Sequence, residues 1–178
     1  MPKAKAFVAQ IFAQVFAQVF LRASLLAAAA FLAGCPYNSP YPLNTAATAK
    51  IEPELLGEWM GINDLKDSSF RISPGKNNSY EVEIFKRQKG IETVDRARAS
   101  ISRIKGHTLI SVAGHNGQGD ESYLFFEYTV GCEVLRLSAI SDGYVKDKFP
   151  SSAKLTDYVR QNIDNPSFFD PAIVFLKK

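Results

Sequence analysis

Apolar and polar side chains alternate through most of the chain beyond Leu56, the period-two pattern of a strand with one dry and one wet face. Tyr80, Val82 and Ile84 fall on one face of such a segment, and Glu81 and Glu83 on the other. Phe70 and Ile72 repeat the pattern ahead of Pro74-Gly75-Lys76-Asn77-Asn78, so 69–73 and 79–87 are predicted to form a hairpin. Further strands are expected at 58–63, 96–104, 108–113, 122–130, 134–140 and 143–149, with SYLFFEYTV at 122–130 the strongest β segment. Eight short strands joined by short turns predict a mostly β fold: an antiparallel up-and-down meander, closed or nearly closed so that its edges are hidden. The period then changes. Ser151 or Ser152 can cap a helix carrying Leu155, Tyr158, Val159 and Ile163 on one side, ended by Asp164-Asn165-Pro166. This single amphipathic helix is expected across the barrel mouth or wall, and Ala172–Leu176 (AIVFL) is a short final strand.

The first 34 residues follow another logic. They contain no Asp or Glu, and their only charges are Lys3, Lys5 and Arg22, ahead of the apolar run Ala23–Gly34. Basic residues, a short apolar core and small residues before a boundary make a secretory signal peptide. The run is too short for a membrane span, which needs about 20 apolar residues. Gln10, Gln14 and Gln18 give the preceding stretch a polar stripe. Leu32-Ala33-Gly34-Cys35 resembles the lipobox of bacterial lipoproteins, an aliphatic residue and two small ones before Cys. The resemblance implies cleavage between Gly34 and Cys35, lipidation of the Cys35 thiol, and a membrane as partner through that anchor. Acyl chains supply about 0.8 kcal/mol per buried CH₂, and more than one chain makes attachment stable. Pro36, rather than Asp, follows the cysteine, and by the same resemblance this points to the periplasmic face of the outer membrane.

Residues 35–50 continue with three prolines and small polar residues, a composition expected to form a flexible tether with little ability to pack. Stretched out, it would reach about 45 Å. The folded domain is therefore expected over 51–178.

Charge changes this picture by its location. The chain of 178 residues is 46% hydrophobic and carries a formal +3. Without Lys3, Lys5 and Arg22, 18 basic residues face 18 acidic ones, so the working domain is neutral. A neutral domain gives no footing for nucleic acid, even though Arg87, Arg96, Arg98 and Arg103 are close in sequence. Once Cys35 is acylated, Cys132 is alone, and is expected as a buried small residue or a turn residue.

Leu56-Gly57-Glu58-Trp59 carries a second likeness. A Gly-x-Trp opening the first strand, then antiparallel strands, a late helix and a short last strand, resembles the lipocalin-like barrels. It is also similar to small bacterial lipoproteins that begin with Leu-x-Gly-x-Trp and end in a comparable helix. The resemblance implies that Trp59 closes the barrel floor, that Gly57 is structural, and that a basic residue lies against the indole, one that the sequence leaves unassigned.

No catalytic constellation is present in the sequence. His107 and His115 bracket a strand and would stand about 26 Å apart if it runs extended, too far to share a metal. Both read as turn residues. Glu81 and Glu83 fit solvent-facing alternation better than an acid–base pair. Gly114–Glu121 (GHNGQGDE) leads into a strand, not a helix, so it reads as a hairpin tip and not a phosphate cradle. Asn116, Gln118 and Asp120 alone are too few oxygen donors for calcium. No HExxH, CxxC, GxSxG or Walker pattern occurs, and neither a cofactor nor a metal is expected. The expected function is a non-catalytic lipoprotein that binds a small apolar ligand or an envelope protein. Tyr80, Phe85, Tyr123, Phe125, Phe126, Tyr128 and Tyr144 are the aromatic supply for an interior or a surface. A surface-acting assembly lipoprotein, or an inhibitor of an envelope-directed hydrolase offering residues 114–121, are the alternatives.

Overall fold

A computed structural model of the chain describes residues 36–43, 51–62, 68–88, 91–115 and 119–178. The leader, Gly34, Cys35 and residues 44–50 lie outside the described residues. A two-residue strand β1 (Asn38–Ser39) comes first. The barrel strands are β2 (Gly57–Gly61), β3 (Ser68–Pro74), β4 (Tyr80–Gln88), β5 (Ile91–Ile104), β6 (His107–His115), β7 (Glu121–Gly131), β8 (Val134–Ala139) and β9 (Ile173–Lys177). One α-helix, α1 (Ser152–Asn162), falls between β8 and β9. Each of β2 to β9 pairs antiparallel with the next, and β9 pairs back onto β2, so eight strands close a barrel. Among the described residues no helix is long and apolar enough to cross a membrane.

The sequence alternation sets which side of the wall each residue takes. Phe70 pairs with Ile84, Ile72 with Val82, and Val82 with Ala97, so the apolar sets of β3, β4 and β5 share the inner face. The β3–β4 turn works because Asn77 and Asn78 accept positive φ (54° and 57°), as Asn does more readily than most residues. Two clusters result. Inside the barrel, Leu55, Trp59, Ile72, Tyr80, Val82, Ala99, Ile101, Ile110, Tyr128, Leu135 and Phe175 form the inner core. Outside, Ile104, Leu109 and Phe125 of β5–β7 are covered by Leu155, Val159 and Ile163, with Tyr37, Leu43 and Phe168 completing a second core.

Helix α1 thus lies on the outer wall and not across the mouth. The Ser151 hydroxyl caps it, accepting from the Lys154 backbone N–H at 3.4 Å.

Two expectations need correcting. Residues 143–149 form no strand. The Tyr144 and Val145 N–H groups both return to the Ser141 carbonyl in a turn, and the apolar side chains there serve the outer core instead of a ladder. The eighth barrel strand is β9, which closes the ring between β8 and β2. Residues 36–43, expected in the tether, are docked on the wall. Pro36 bridges Ser141, the Tyr37 N–H donates to the Ile140 carbonyl at 2.8 Å, and β1 pairs with Leu124 and Tyr123 of β7. The physical reason is the pattern within PYNSPYPL: Tyr37 and Leu43 find an apolar seat beside Phe125 and Phe149, and β1 takes the stretch of β7 edge that β8 leaves uncovered.

Candidate functional site

The two ends of the barrel interior differ in how they are finished. At the end carrying the β3–β4, β5–β6 and β7–β8 turns, the short 3-10 turn Pro53–Leu55 closes the floor. Leu55 is buried there, and its carbonyl accepts from the Trp59 indole N–H at 2.8 Å. The Glu52 N–H donates to the Tyr80 hydroxyl at 2.8 Å, the Tyr128 hydroxyl donates to the Glu52 carboxylate at 2.7 Å, and Arg103 pairs with the same carboxylate at 2.7 Å. Burial, and then the Glu52 carboxylate, push the Tyr128 hydroxyl far above the usual phenol range, so it stays a proton donor.

The basic partner implied for Trp59 is Lys177. Its ammonium lies 5.3 Å from the indole ring and donates to the Glu54 carbonyl at 3.3 Å. The same side chain explains the glycine of Gly-x-Trp. Gly57 has φ +124°, a backbone conformation that favours glycine, and a Cβ there would stand 3.0 Å from the Lys177 Cε, so the lysine stem would have to shift as well.

Towards the opposite end, where β2–β3, β4–β5 and β6–β7 connect, the inner wall is apolar and its described side chains are less fully buried. Phe70, Ile84, Ala97, Val112, Phe126 and Leu137 point inward and are only half-buried. Ile173, opposite Leu137 and in phase with inward Phe175, remains 40% exposed. The connections 63–67, 89–90 and 116–118 at this mouth lie outside the described residues. The interior therefore has a filled floor, and towards the mouth an apolar wall that is less fully buried.

The aromatic supply divides between two surfaces. Tyr80, Phe126 and Tyr128 face the interior. Phe125, Tyr123 and Tyr144 belong to the outer core, and Phe85 lies on the outer wall with the Arg71 guanidinium 5.7 Å from its ring.

The histidines occupy the two ends of β6. The His115 Nδ1 contacts the Gly119 carbonyl at 3.2 Å. His107 is held between Glu127 at 2.6 Å and Asp164 at 3.2 Å, with Lys105 also on Asp164 at 2.8 Å. These contacts tie the segment after α1 to the barrel. Glu127 first, and Asp164 after it, raise the His107 pKa above its ordinary 6.5.

Glu81 and Glu83 do face outward. Glu83 pairs with Arg71 at 3.5 Å and Arg96 at 3.3 Å, while Arg98 pairs with Glu121 at 2.9 Å. The outer groove these residues line, about 570 Å³, therefore has balanced charge. Cys132 is an exposed turn residue with φ 50° in the two-residue β7–β8 connection. Of the loop at 114–121, Asn116 and Gln118 lie outside the described residues. Among the described residues, no group of three or more His, Cys, Asp or Glu side chains is arranged to hold a metal.

No family model, curated protein or solved structure matches the chain.

Proposed function

We propose that this chain is a non-catalytic envelope lipoprotein, held to a membrane through acylated Cys35, whose barrel receives a small apolar ligand in the mouth half of its interior. The observation that supports this most is the inward-facing apolar set that the barrel leaves half covered, with Ile173 at 40% exposure. Apolar area left in water forgoes about 25 cal/mol per Å². A wall of such side chains inside a closed sheet is completed by an apolar guest, whereas a purely structural barrel would fill that space with its own side chains. Eight strands leave room for one small ligand and no more. The floor network of Glu52, Tyr80, Tyr128 and Arg103 fixes the depth to which a guest can enter.

The test has two arms. Native mass spectrometry of the mature protein, with titration of an apolar fluorescent dye, should show a retained small molecule or saturable dye binding. A bare chain mass together with no dye binding overturns the ligand reading. Separately, Cys35→Ala should leave the chain unacylated and free of membranes, and fractionation like the wild type refutes the anchor.

A further inference from the structure

Both ring nitrogens of His107 face a carboxylate. Nδ1 lies 2.6 Å from Glu127 on β7, and Nε2 lies 3.2 Å from Asp164, just past the end of α1. A neutral imidazole has one N–H and one lone pair, while an ionised carboxylate can only accept. A neutral ring would therefore serve one of these partners and turn its lone pair towards the other. Asp164 is kept ionised, its pKa lowered first by Lys105 and then by His107. The bridge between the two carboxylates is thus a property of the imidazolium.

The two arms of the bridge differ in what they hold. Glu127 is fixed in a strand paired on both sides, opposite Leu109 and Ser138. Asp164 begins an exposed stretch, Asp164–Ser167, that runs between two anchored points. Upstream, Ile163 is buried in the outer core. Downstream, the Phe168 carbonyl accepts from the Ser141 N–H at 3.0 Å, and the Asp170 N–H donates to the Ala139 carbonyl at 2.8 Å. The stretch borders a crevice of about 450 Å³ on the outer wall, lined on its other sides by Glu127, Ser138, Phe169 and Asp170. The charged groups around the ring come from every neighbouring element. Lys105 comes from the β5–β6 turn, Glu127 from β7, Arg136 from β8, and Asp164 and Asp170 from the α1–β9 connection, while Arg160 and Asp157 of α1 pair with each other. With the imidazolium, three cations meet three carboxylates. Without it, one carboxylate is in excess.

We infer that His107 is a proton-operated latch: protonated, it fastens Asp164–Ser167 to the barrel wall, and on losing its proton it keeps Glu127 and lets that stretch go, opening the crevice. The Asp164 arm yields because it is the longer contact and its carboxylate is 60% exposed, free to turn to water and to Lys105, whose ammonium holds the other oxygen at 2.8 Å. Glu127 and Asp164 raise the pKa of the ring, so the latch is closed below about 6.5 and releases as pH climbs through the raised value. It requires neither the membrane anchor nor a guest in the barrel.

NMR of nitrogen-15-labelled protein, from about pH 5 to about pH 9, tests the latch. His107 should carry a proton on each ring nitrogen at the acid end and titrate above 6.5. The amides of Asn165, Ser167 and Phe168, which donate to Asn162 and Asn165 within the stretch, should shift with the same midpoint. Their hydrogen exchange, corrected for its intrinsic pH dependence, should quicken about two- to fivefold above it. A ring with a single N–H at the acid end, a midpoint at or below 6.5, or amides indifferent to it overturns the proposal. Two variants separate a latch from a passive contact. In His107→Gln the shared midpoint should vanish, and in Asp164→Asn the stretch should exchange at its released rate over the whole range. The wild-type profile retained in either variant overturns the latch.

Discussion

The floor and the mouth of one barrel are built from the same strands and finished in opposite ways. At the floor, every polar group named above has a partner, and Trp59, Tyr80 and Leu55 are almost wholly buried. At the mouth, side chains of the same apolar kind sit in the same alternating register and are left half-covered. Both regions satisfy the sheet equally well, so backbone pairing does not explain the difference. The difference lies in what plugs each end: the floor receives its own chain, through Pro53–Leu55 and Lys177, and among the described residues no comparable segment packs onto the half-buried mouth side chains. Stability is concentrated where the protein covers itself, and the proposed ligand would sit where it stops short.

Substitutions can break this contrast, and the largest effect belongs to the floor. Trp59→Ala removes a fully buried indole and its hydrogen bond to the Leu55 carbonyl, and should cost about 3–5 kcal/mol in urea unfolding. A loss below about 1 kcal/mol would show that the floor is not the structural centre. Gly57→Ala should cost about 1–3 kcal/mol, because the new Cβ meets both a φ of +124° and the Lys177 stem. Lys177→Ala in the same background should recover only part of that, since the backbone strain remains.

At the mouth the balance should invert. Phe126→Ala should cost only about 1–2 kcal/mol of stability, since the ring is only partly buried. The same change should weaken apolar-dye binding about tenfold or more. Equal stability losses at 59 and 126 with unchanged dye affinity would erase the distinction between the two ends.

The smallest effect lies on the outer wall, where His107 joins Glu127 and Asp164. Its pKa is raised on folding, so its contribution is complete below about 6.5 and fades as pH climbs through the raised value. Stability should therefore drop by less than about 1 kcal/mol from pH 6 to 8, because the cluster is partly exposed. His107→Gln should flatten that slope, and a wild-type slope of opposite sign would rule out this origin.

Much of the fold was legible because alternation is local. The 69–73 and 79–87 hairpin, the capped helix and the GxW strand all follow from neighbours within a few residues. Tyr144 and Val145 misled because two apolar residues beside a turn look alike whether they enter a ladder or a satellite core, and only the outer cluster under α1 settles which. The docking of Pro36–Leu43 was hidden for a related reason: prolines and small polar residues read as a tether, and the seat for Tyr37 is made by Phe125 and Phe149, remote in sequence. Lys177 as the partner of Trp59 had no local signal at all, since that contact exists only once the ring has closed. The mouth was equally invisible. Half-covered and fully covered apolar residues share one alternation, and what separates them is the plug.

Ring closure through β9 also governs timing. A chain released from its N-terminal end, by a ribosome or by a pore, can assemble β2 to β8 early, but β2 has no second neighbour until Ile173–Lys177 is free. The Lys178 N–H bond to the Glu58 carbonyl at 3.0 Å and the Lys177 seat on Trp59 are among the last contacts available. Pairing between such distant segments is slow to form. The chain consequently stays open, and threadable, for as long as its tail is still in transit.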